Sequence, residues 1–375
     1  MGKERDIFLK NLPNNLIATP VDAIKIGKRL VGNNQPVFII AEVGANHRGK
    51  IENALKAIEI AAKSGADAVK FQHLTGNLMA ADTMVFDQWH GKPIGPLSKF
   101  YKSAELPYGW TEKLINHAKK HNIIFLSTPF DKSAVDLLTK FKIPAFKIAS
   151  YEMTDDILLR YIAKKGKPMI LSTGMAYLEE VAHAVRVIQE AGNNQIILLH
   201  CVSIYPPKNF SDLNLRAITT LRESFKVPVG YSDHSVPPSV SAPLGAVALG
   251  ACVIEKHFTD SAEGGSNDDP NSLSPNELSN MIKEIRLLEK ALSGSGIKQP
   301  ISYKNHIGDE ISDRWARRSL YAKINIAKGA VINESMLITL RPFGGLEIKD
   351  LKVILGKKAN KKISARSPIK LGDFS

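Results

Sequence analysis

The sequence predicts an α/β fold: a (β/α)8 TIM barrel followed by a small C-terminal β-rich domain. Three observations predict it. Eight short apolar, β-branched runs alternate with polar turns and helix-spaced stretches between Val37 and Thr259, and so many alternations in so short a span favour a closed barrel over an open doubly wound sheet. No glycine-rich loop of the GxGxxG or GxxxxGK[ST] type follows the first run, which counts against the open sheet. The 375 residues exceed the roughly 250 of an ordinary barrel by about one small module.

Residues 1–36 are an extension whose first two dozen positions carry no pattern. KIGKRLV (25–31) and VFIIAE (37–42) then flank the turn-forming GNNQP, which reads as a β-hairpin plugging the barrel's N-terminal mouth. The barrel is expected over 37–294. Its strands are VFIIAE (37–42), AVKFQ (68–72), IIFLST (123–128), AFKIAS (145–150), PMILST (168–173), IILLHC (196–201), VPVGYSD (227–233) and CVIEKHF (252–258). Stretches such as 51–67, 110–122 and 178–193 place apolar residues at helical spacing, with Gly or Asn near their ends. After a last helix over 278–294, the Gly/Ser/Pro-rich SGSGIKQPIS marks a linker, 295–311. Short strands broken by Gly and Lys-Gly turns fill a second domain over 312–375.

Composition limits the function classes. With 44% hydrophobic and 23% charged residues the chain can bury a sizeable core, and no apolar run approaches the roughly 18 residues of a membrane span. Met1 to Lys10 mixes charges and lacks an apolar signal stretch, so a cytoplasmic address and no membrane partner are expected. Cys201 and Cys252 each sit in an apolar run, as small buried hydrophobes do. The net charge of +13 is concentrated after Gly296, where 16 Lys or Arg face 7 Asp or Glu. Clustered basic charge is the footprint of nucleic-acid binding. Here it is spread through a patterned domain with no basic helix and few aromatics, so we expect no nucleic acid and read a surface bias toward small anions.

Catalytic groups of such barrels sit at the C-terminal ends of the strands. Those ends carry Glu42, Lys70 and Gln72, Thr128, Lys147 and Ser150, Ser172 and Thr173, Ser203 and Tyr205, Ser232 with Asp233 and His234, and His257. One polar residue at a strand end is ordinary; the convergent set is the signal. His234 and His257 end neighbouring strands, so both imidazoles can reach one metal, with water or substrate oxygens completing its shell. A lone strand-end His is more often a hydrogen-bonded structural residue. Lys70 and Lys147 lie in apolar strands, an expensive place for an ammonium unless an anion meets it. The alternatives are a buried pair with an acid such as Glu42, or the Schiff-base lysine of an aldolase. The hydroxyls of Thr128, Ser150, Ser172, Ser203 and Ser232 suit the anion reading better, as a ring of donors for phosphate and carboxylate oxygens.

The motifs FIIAEVGANH (38–47), GADAVKFQ (65–72), STPFD (127–131), FKIASYE (146–152), LSTGM (171–175), LLHCVSIYP (198–206), GYSDHS (230–235) and EKHFT (255–259), with RRSLYA and LRPFGG near the C-terminus, closely resemble the N-acetylneuraminate synthase family. The resemblance spans about residues 25–375, and the C-terminal module is similar to that family's antifreeze-like (SAF) domain. It implies an enzyme that joins C3 of phosphoenolpyruvate to the aldehyde of an open-chain N-acyl amino sugar, assisted by Mn2+ or else Mg2+ or Co2+. Its first implication is an N-acetylneuraminate synthase, with pseudaminic or legionaminic acid synthases on a diacetamido sugar as the alternative.

By the same resemblance His234 and His257 are metal ligands, and Lys70, Thr128, Lys147, Ser150, Ser172, Ser203 and Ser232 hold phosphoenolpyruvate. Glu42 is the acid/base candidate, and Gln72, Tyr205 and Asp268 face the sugar. The resemblance further implies a domain-swapped homodimer in which Arg341 of the SAF domain enters the partner's site, where Trp315 lines the same pocket. Two departures stand out. The family's Gly-Pro-Asp reads Ser266-Asn267-Asp268-Asp269 here, leaving Asp268 and Asp269 as rival matches, with spacing to Ser272 favouring Asp268. The loop over 86–110 lacks the Asn-containing pattern of N-acetylmannosamine users, and its FYKSAELPYGW looks closer to pseudaminic acid synthases. Of the rival functions, a Schiff-base aldolase would trap substrate on lysine and survive EDTA. A carbohydrate- or ice-binding protein built on the C-terminal module would have no use for two lysines and two histidines on the barrel rim.

Overall fold

The computed structural model describes residues 21–89, 92–260, 265–294 and 317–375. Two compact units meet in sequence at Gly294 and Ser295. Trp315 and the segment 295–316 lie outside the described residues.

The chain opens with the antiparallel strands β1 (Ala23–Ile26) and β2 (Arg29–Gly32). This corrects the pairing read from sequence, which set 25–31 against 37–42. The turn falls at Gly27 and Lys28, where Gly27 has φ +58°, a conformation glycine reaches at no steric cost. GNNQP instead carries the chain onward to the first barrel strand. The plug itself stands: Ile24, Ile26 and Val31 are buried in one cluster with Phe38, Ile40, Ala68, Leu126 and Val253.

The barrel begins with β3 (Phe38–Glu42) and β4 (Ala68–His73). The connection after β4 carries its own antiparallel hairpin, β5 (Met84–Trp89) with β6 (Lys92–Pro96). Then follow β7 (Ile124–Pro129), β8 (Phe146–Ile148), β9 (Met169–Ser172), β10 (Ile196–Cys201), β11 (Val229–Asp233) and β12 (Val253–His257). The eight parallel strands close in sequence order, β12 pairing back onto β3.

Helices cover the outside. The helix α1 (Ile51–Lys63) buries Ala54, Ala57, Ile58 and Ala61, and α2 (Thr111–Lys120) buries Leu114, Ile115 and Ala118, both at the spacing of one helical face. The long helix after β12, α3 (Pro275–Leu292), starts with a capping box: Glu277 Oε2 accepts from Ser274 N at 2.7 Å and Ser274 Oγ from Glu277 N at 3.4 Å. Among the described residues no helix is long and apolar enough to cross a membrane.

The two-residue period of the strands sorts their side chains. Ile39, Ala41, Val69, Phe71, Phe146, Ile148, Leu198, Tyr231 and Ile254 point outward into the main core beneath the helices. The alternate positions point inward: Phe38, Ile40, Ala68, Leu126, Ile170, Leu199 and Val253 fill the barrel's N-terminal half. The next inward residues up each strand are therefore Glu42, Lys70, Thr128, Ser172, Cys201 and Glu255. The register sets Glu42 beside both Lys70 and His257, and Ser232 beside Glu255 and Cys201.

Asp233, read from sequence as part of this rim, faces the other way. It pairs with Lys256 at 2.8 Å, both fully buried, and accepts hydrogen bonds from Tyr231 and Ser235.

The second unit is small and built on one apolar cluster, including Leu320, Ala322, Ile326, Ile332, Ile354 and Ile369. Its strands β13 (Ser319–Ala322) and β14 (Leu337–Leu340) pair antiparallel, and isolated bridges such as Ile326 with Ile363 hold its turns. Arg341 follows β14 directly and is exposed.

Candidate active site

At the C-terminal end of the barrel these inward residues line a narrow cavity of about 40 Å3. Glu42, Lys70, Gln72, Thr128, Lys147 and Ser150 form one part of its wall; Ser172, Tyr205, Ser232, His234 and His257 form the rest with Glu255 and Cys201. The floor is an ionic chain. Lys70 Nζ lies 2.9 Å from Glu42 Oε2 and 3.6 Å from Glu255 Oε1, and Lys147 Nζ lies 3.7 Å from that same Glu255 oxygen. Ser232 donates to Glu255 Oε1 at 3.0 Å, Lys70 donates to Thr128 Oγ1 at 3.3 Å, and Gln72 donates to Glu42 Oε1 at 2.8 Å.

Burial decides how these groups titrate. It pushes Glu42 up to about 7, against the pull of Lys70. Burial also presses both lysines down. For Lys70 the nearby Glu255 and Glu42 together outweigh it and hold the ammonium above its usual range; Lys147, with less anionic charge around it, stays below. Glu255 resists its burial because Lys147, Lys70 and the Ser232 hydroxyl favour its anion. The floor therefore holds one firm ammonium, a second lysine whose proton burial loosens, one firm carboxylate and one carboxyl poised to take or give a proton near neutrality.

Several buried polar atoms have no hydrogen-bond partner among the described residues: Ser172 Oγ, Glu255 Oε2 and His257 Nδ1 on the cavity wall, and Ser203 Oγ, whose residue is not part of that wall. Orphaned polar atoms are rare in folded proteins, and a cluster of them marks the place of a polar ligand.

The two histidines fit a metal. Their ring centroids are 5.5 Å apart, close enough for both imidazoles to reach one ion. His234 Nδ1 lies 2.8 Å from the Val202 carbonyl; donating there fixes the tautomer and leaves Nε2 as a lone pair toward the cavity. Burial keeps both imidazoles neutral, lowering His234 to about 4 and His257 well below its usual value. Tyr205 packs its ring 4.0 Å from that of His234.

Asp268 reaches the same corner: its Oδ2 accepts from Ala45 N at 2.7 Å and lies 3.9 Å from His257 Nδ1. Gly44, with φ +52°, makes room for it, since a Cβ there would stand 2.2 Å from Asp268 Oδ2. Asp269 is instead engaged by Arg48 at 2.8 Å and by Ser266 N. The geometry thus favours Asp268 of the two rival matches.

Three features were missed in the sequence. Glu255 bridges both lysines, yet within EKHFT it read only as part of a motif. Cys201, expected to be a plain core residue, lines the cavity 3.2 Å from Ser150 Oγ. Glu152, raised to about 7 chiefly by burial, lies just beyond Ser150 and Tyr151 with Oε2 unpartnered among the described residues. Strand parity could have found the first two, because Glu255 and Cys201 are an even number of residues from inward-facing Val253 and Leu199. Arg341 belongs to the second unit.

The family model described as the NeuB family matches residues 57–298, and a SAF domain matches residues 317–375. The chain belongs to the NeuB family. Within it, the N,N'-diacetyllegionaminic acid synthase of Campylobacter jejuni is 42% identical, with 86% of this chain and 96% of that one covered. The pseudaminic acid synthase of the same organism is 39% identical, covering 92% and 99%. Among solved structures, the N-acetylneuraminic acid synthetase of Leptospira borgpetersenii, crystallised with citrate, superposes with a TM-score of 0.66 at 36% identity, covering 75% of this chain and 93% of the other. The NeuB-family chain is accordingly a member of the sialic-type, or nonulosonic, acid synthases, built as a (β/α)8 barrel with a C-terminal SAF domain.

Proposed function

We propose that this enzyme condenses phosphoenolpyruvate with the open-chain aldehyde of an N-acyl amino sugar and releases phosphate. The observation that carries the reading is the cavity floor: two buried lysines share a single firm carboxylate, beneath the orphaned Ser172 hydroxyl. Such a floor is short of anions, and a ligand bearing a carboxylate and a phosphate supplies them. Lys70, Lys147 and the hydroxyls of Thr128, Ser150, Ser172, Ser203 and Ser232 hold those oxygens. C3 of the enol bonds to the aldehyde carbon, water adds at C2, and the C2–O bond to phosphate breaks. Glu42, oriented by Gln72, exchanges the proton, its carboxyl lying near the pH at which acid and base roles are both open. Tyr205 and Asp268 face the sugar. His234 and His257 would hold a divalent cation, Mn2+ before Mg2+ or Co2+, whose charge polarises the aldehyde oxygen when bound.

Of the two sugar classes the sequence left open, the diacetamido sugars are favoured over N-acetylmannosamine. The support is the FYKSAELPYGW segment together with two relatives, at 42% and 39% identity, named for legionaminic and pseudaminic acid. A homodimer with exchanged SAF domains is also part of the proposal. Leu78, Phe86, Met175, Tyr177, Ile204 and Val236, all in the connections that follow barrel strands, are 50–89% exposed. Large exposed apolar side chains on the connections at the C-terminal ends of the barrel strands are what a covering module would bury.

Phosphate release from phosphoenolpyruvate, measured on the EDTA-stripped enzyme with Mn2+ restored and a panel of N-acyl sugars, tests the reading. A diacetamido sugar should give the fastest release, and His257→Ala should give none while keeping its circular dichroism. Absence of release with every sugar defeats the proposal.

Lys147→Ala separates anion binding from imine chemistry. Glu255 keeps Lys70 and Ser232 as partners, so the fold survives. KM for phosphoenolpyruvate should rise by the equivalent of about 2–5 kcal/mol, the cost of truncating one partner of a buried charge pair. A borohydride-stable adduct on Lys147 in the parent enzyme would reverse the assignment.

A further inference from the structure

On the outer helical layer, Glu59 of α1 meets His117 of α2 and His121, the residue that ends α2. The two histidines are four apart and share one helix face, and α1 packs against α2. His121 precedes β7 by three residues, so the group lies toward the N-terminal end of the barrel, opposite the cavity mouth. One potential ligand atom from each of the three residues lies within 4.8 Å of the others, an arrangement found in no other trio of His, Cys or acidic residues among the described residues. His117 Nε2 is 3.2 Å and His121 Nε2 4.0 Å from the same Glu59 oxygen, and the imidazole centroids are 4.6 Å apart. All three side chains are partly shielded, from 19% exposed for His117 to 37% for Glu59.

A surface Glu–His hydrogen bond needs only one histidine. Here a second imidazole also sits with its Nε2 4.0 Å from the same oxygen, too far for a hydrogen bond. An ion held about 2.0–2.2 Å from each ligand sets the ligand atoms roughly 3.0–3.6 Å apart. The His117–Glu59 distance already matches, and the His121–Glu59 distance has to shorten by less than an ångström. Lys63 Nζ, 3.9 Å from the other Glu59 oxygen, is an exposed and weak competitor.

We infer that Glu59, His117 and His121 form a second metal site, selective for a nitrogen-seeking divalent ion such as zinc and blind to Mg2+. Two imidazoles and one carboxylate rank zinc, nickel and copper far above magnesium or manganese. The ion ties α1 to α2 across a 58-residue separation and takes no part in the reaction. Water fills its remaining coordination position.

The test uses the full chain with His257→Ala, which removes the rim site, after stripping with EDTA. Titration with zinc chloride should show one ion bound per chain at micromolar concentration, and magnesium chloride none. Adding His117→Ala, His121→Ala or Glu59→Gln should weaken zinc binding roughly tenfold or more, the loss that even the outer partners of a ligand can cause. Zinc should raise the unfolding midpoint of the His257→Ala chain and not that of the chains that also lack one of the three ligands. His117→Ala in the parent chain should keep its turnover, which separates this site from the proposed reaction. If His117→Ala does not fold, His121→Ala and Glu59→Gln carry the same reading. Zinc affinity unchanged in the variants that fold, or no zinc bound at tens of micromolar, overturns the site.

Discussion

Glu255→Ala is expected to lower the unfolding free energy by about 3–5 kcal/mol, the usual cost of leaving a buried charge without its partner. The reason is geometric. Glu255 Oε1 is the one carboxylate oxygen within 4 Å of both Lys70 and Lys147 among the described residues. Removing it leaves two buried lysines with Glu42 and Glu152 as the nearby acids, and burial raises both of those carboxyls to about 7. Lysine truncation is milder, since each lysine leaves Glu255 with the other.

The pH dependence has a definite sign. Without Glu255, burial depresses the folded-state pKa of both lysines below the unfolded value of about 10.4, so the penalty is fully present at neutral pH and fades as pH rises toward that value. In the parent protein Glu255 lies below its ordinary 4.5, so its contribution is present above that value and is lost as pH falls through the folded pKa. Urea unfolding of parent and variant at pH 7 and pH 9.5 should show the gap narrowing at the higher pH. A gap under about 1 kcal/mol at both values would mean the bridge does not stabilise the cavity.

Why Glu255 escaped the sequence while Lys70 and Lys147 did not is instructive. A lysine in an apolar strand is conspicuous because nothing nearby in sequence explains it. Glu255 sits next to Lys256 and reads as half of a local pair, yet the pleat sends the two to opposite faces, Lys256 outward to Asp233 and Glu255 inward to the lysines. Adjacent strand residues never share a face. The same parity explains why Asp233 was taken for a rim residue.

The eight barrel strands were legible because each is a short, mostly apolar run, the pattern of strands buried on both faces. The opening hairpin was misread by a few residues because GNNQP is a stronger turn signal than Gly27-Lys28. The β5–β6 hairpin was not read from the sequence: β6 (KPIGP) holds two prolines and a glycine, and β5 carries Phe86 89% exposed, away from any core. Spacing to Ser272 already favoured Asp268 over Asp269; the reason, contacts with Gly44 and Ala45 more than two hundred residues away, needed coordinates.

Mixing two inactive chains is expected to restore activity. One chain carries Arg341→Ala and keeps its barrel; the other carries His257→Ala and keeps its SAF domain. If the SAF domain completes the partner's cavity, a mixed dimer pairs an intact barrel with an intact module and has one working site. Random exchange makes about half the dimers mixed, so roughly a quarter of parent activity should return. Arg341 is suited to such a reach. It is exposed at the end of β14, and the loop behind it is held by Tyr321, which donates to the Pro342 carbonyl at 2.7 Å, and by Ser319 Oγ, which accepts from Gly344 N and Gly345 N. Gly345 admits no side chain, since a Cβ would stand 2.6 Å from the Leu320 and Ile369 carbonyl oxygens. A rigid loop presents the guanidinium with little ordering cost, and its planar fork can hold sugar or carboxylate oxygens in a way a lysine cannot. Arg341→Lys should therefore complement no better than Arg341→Ala when it replaces the arginine of the SAF-competent chain. If mixing yields nothing above the two parents once subunit exchange has been shown by mass-tagged chains, the module either serves its own barrel or takes no part in the site.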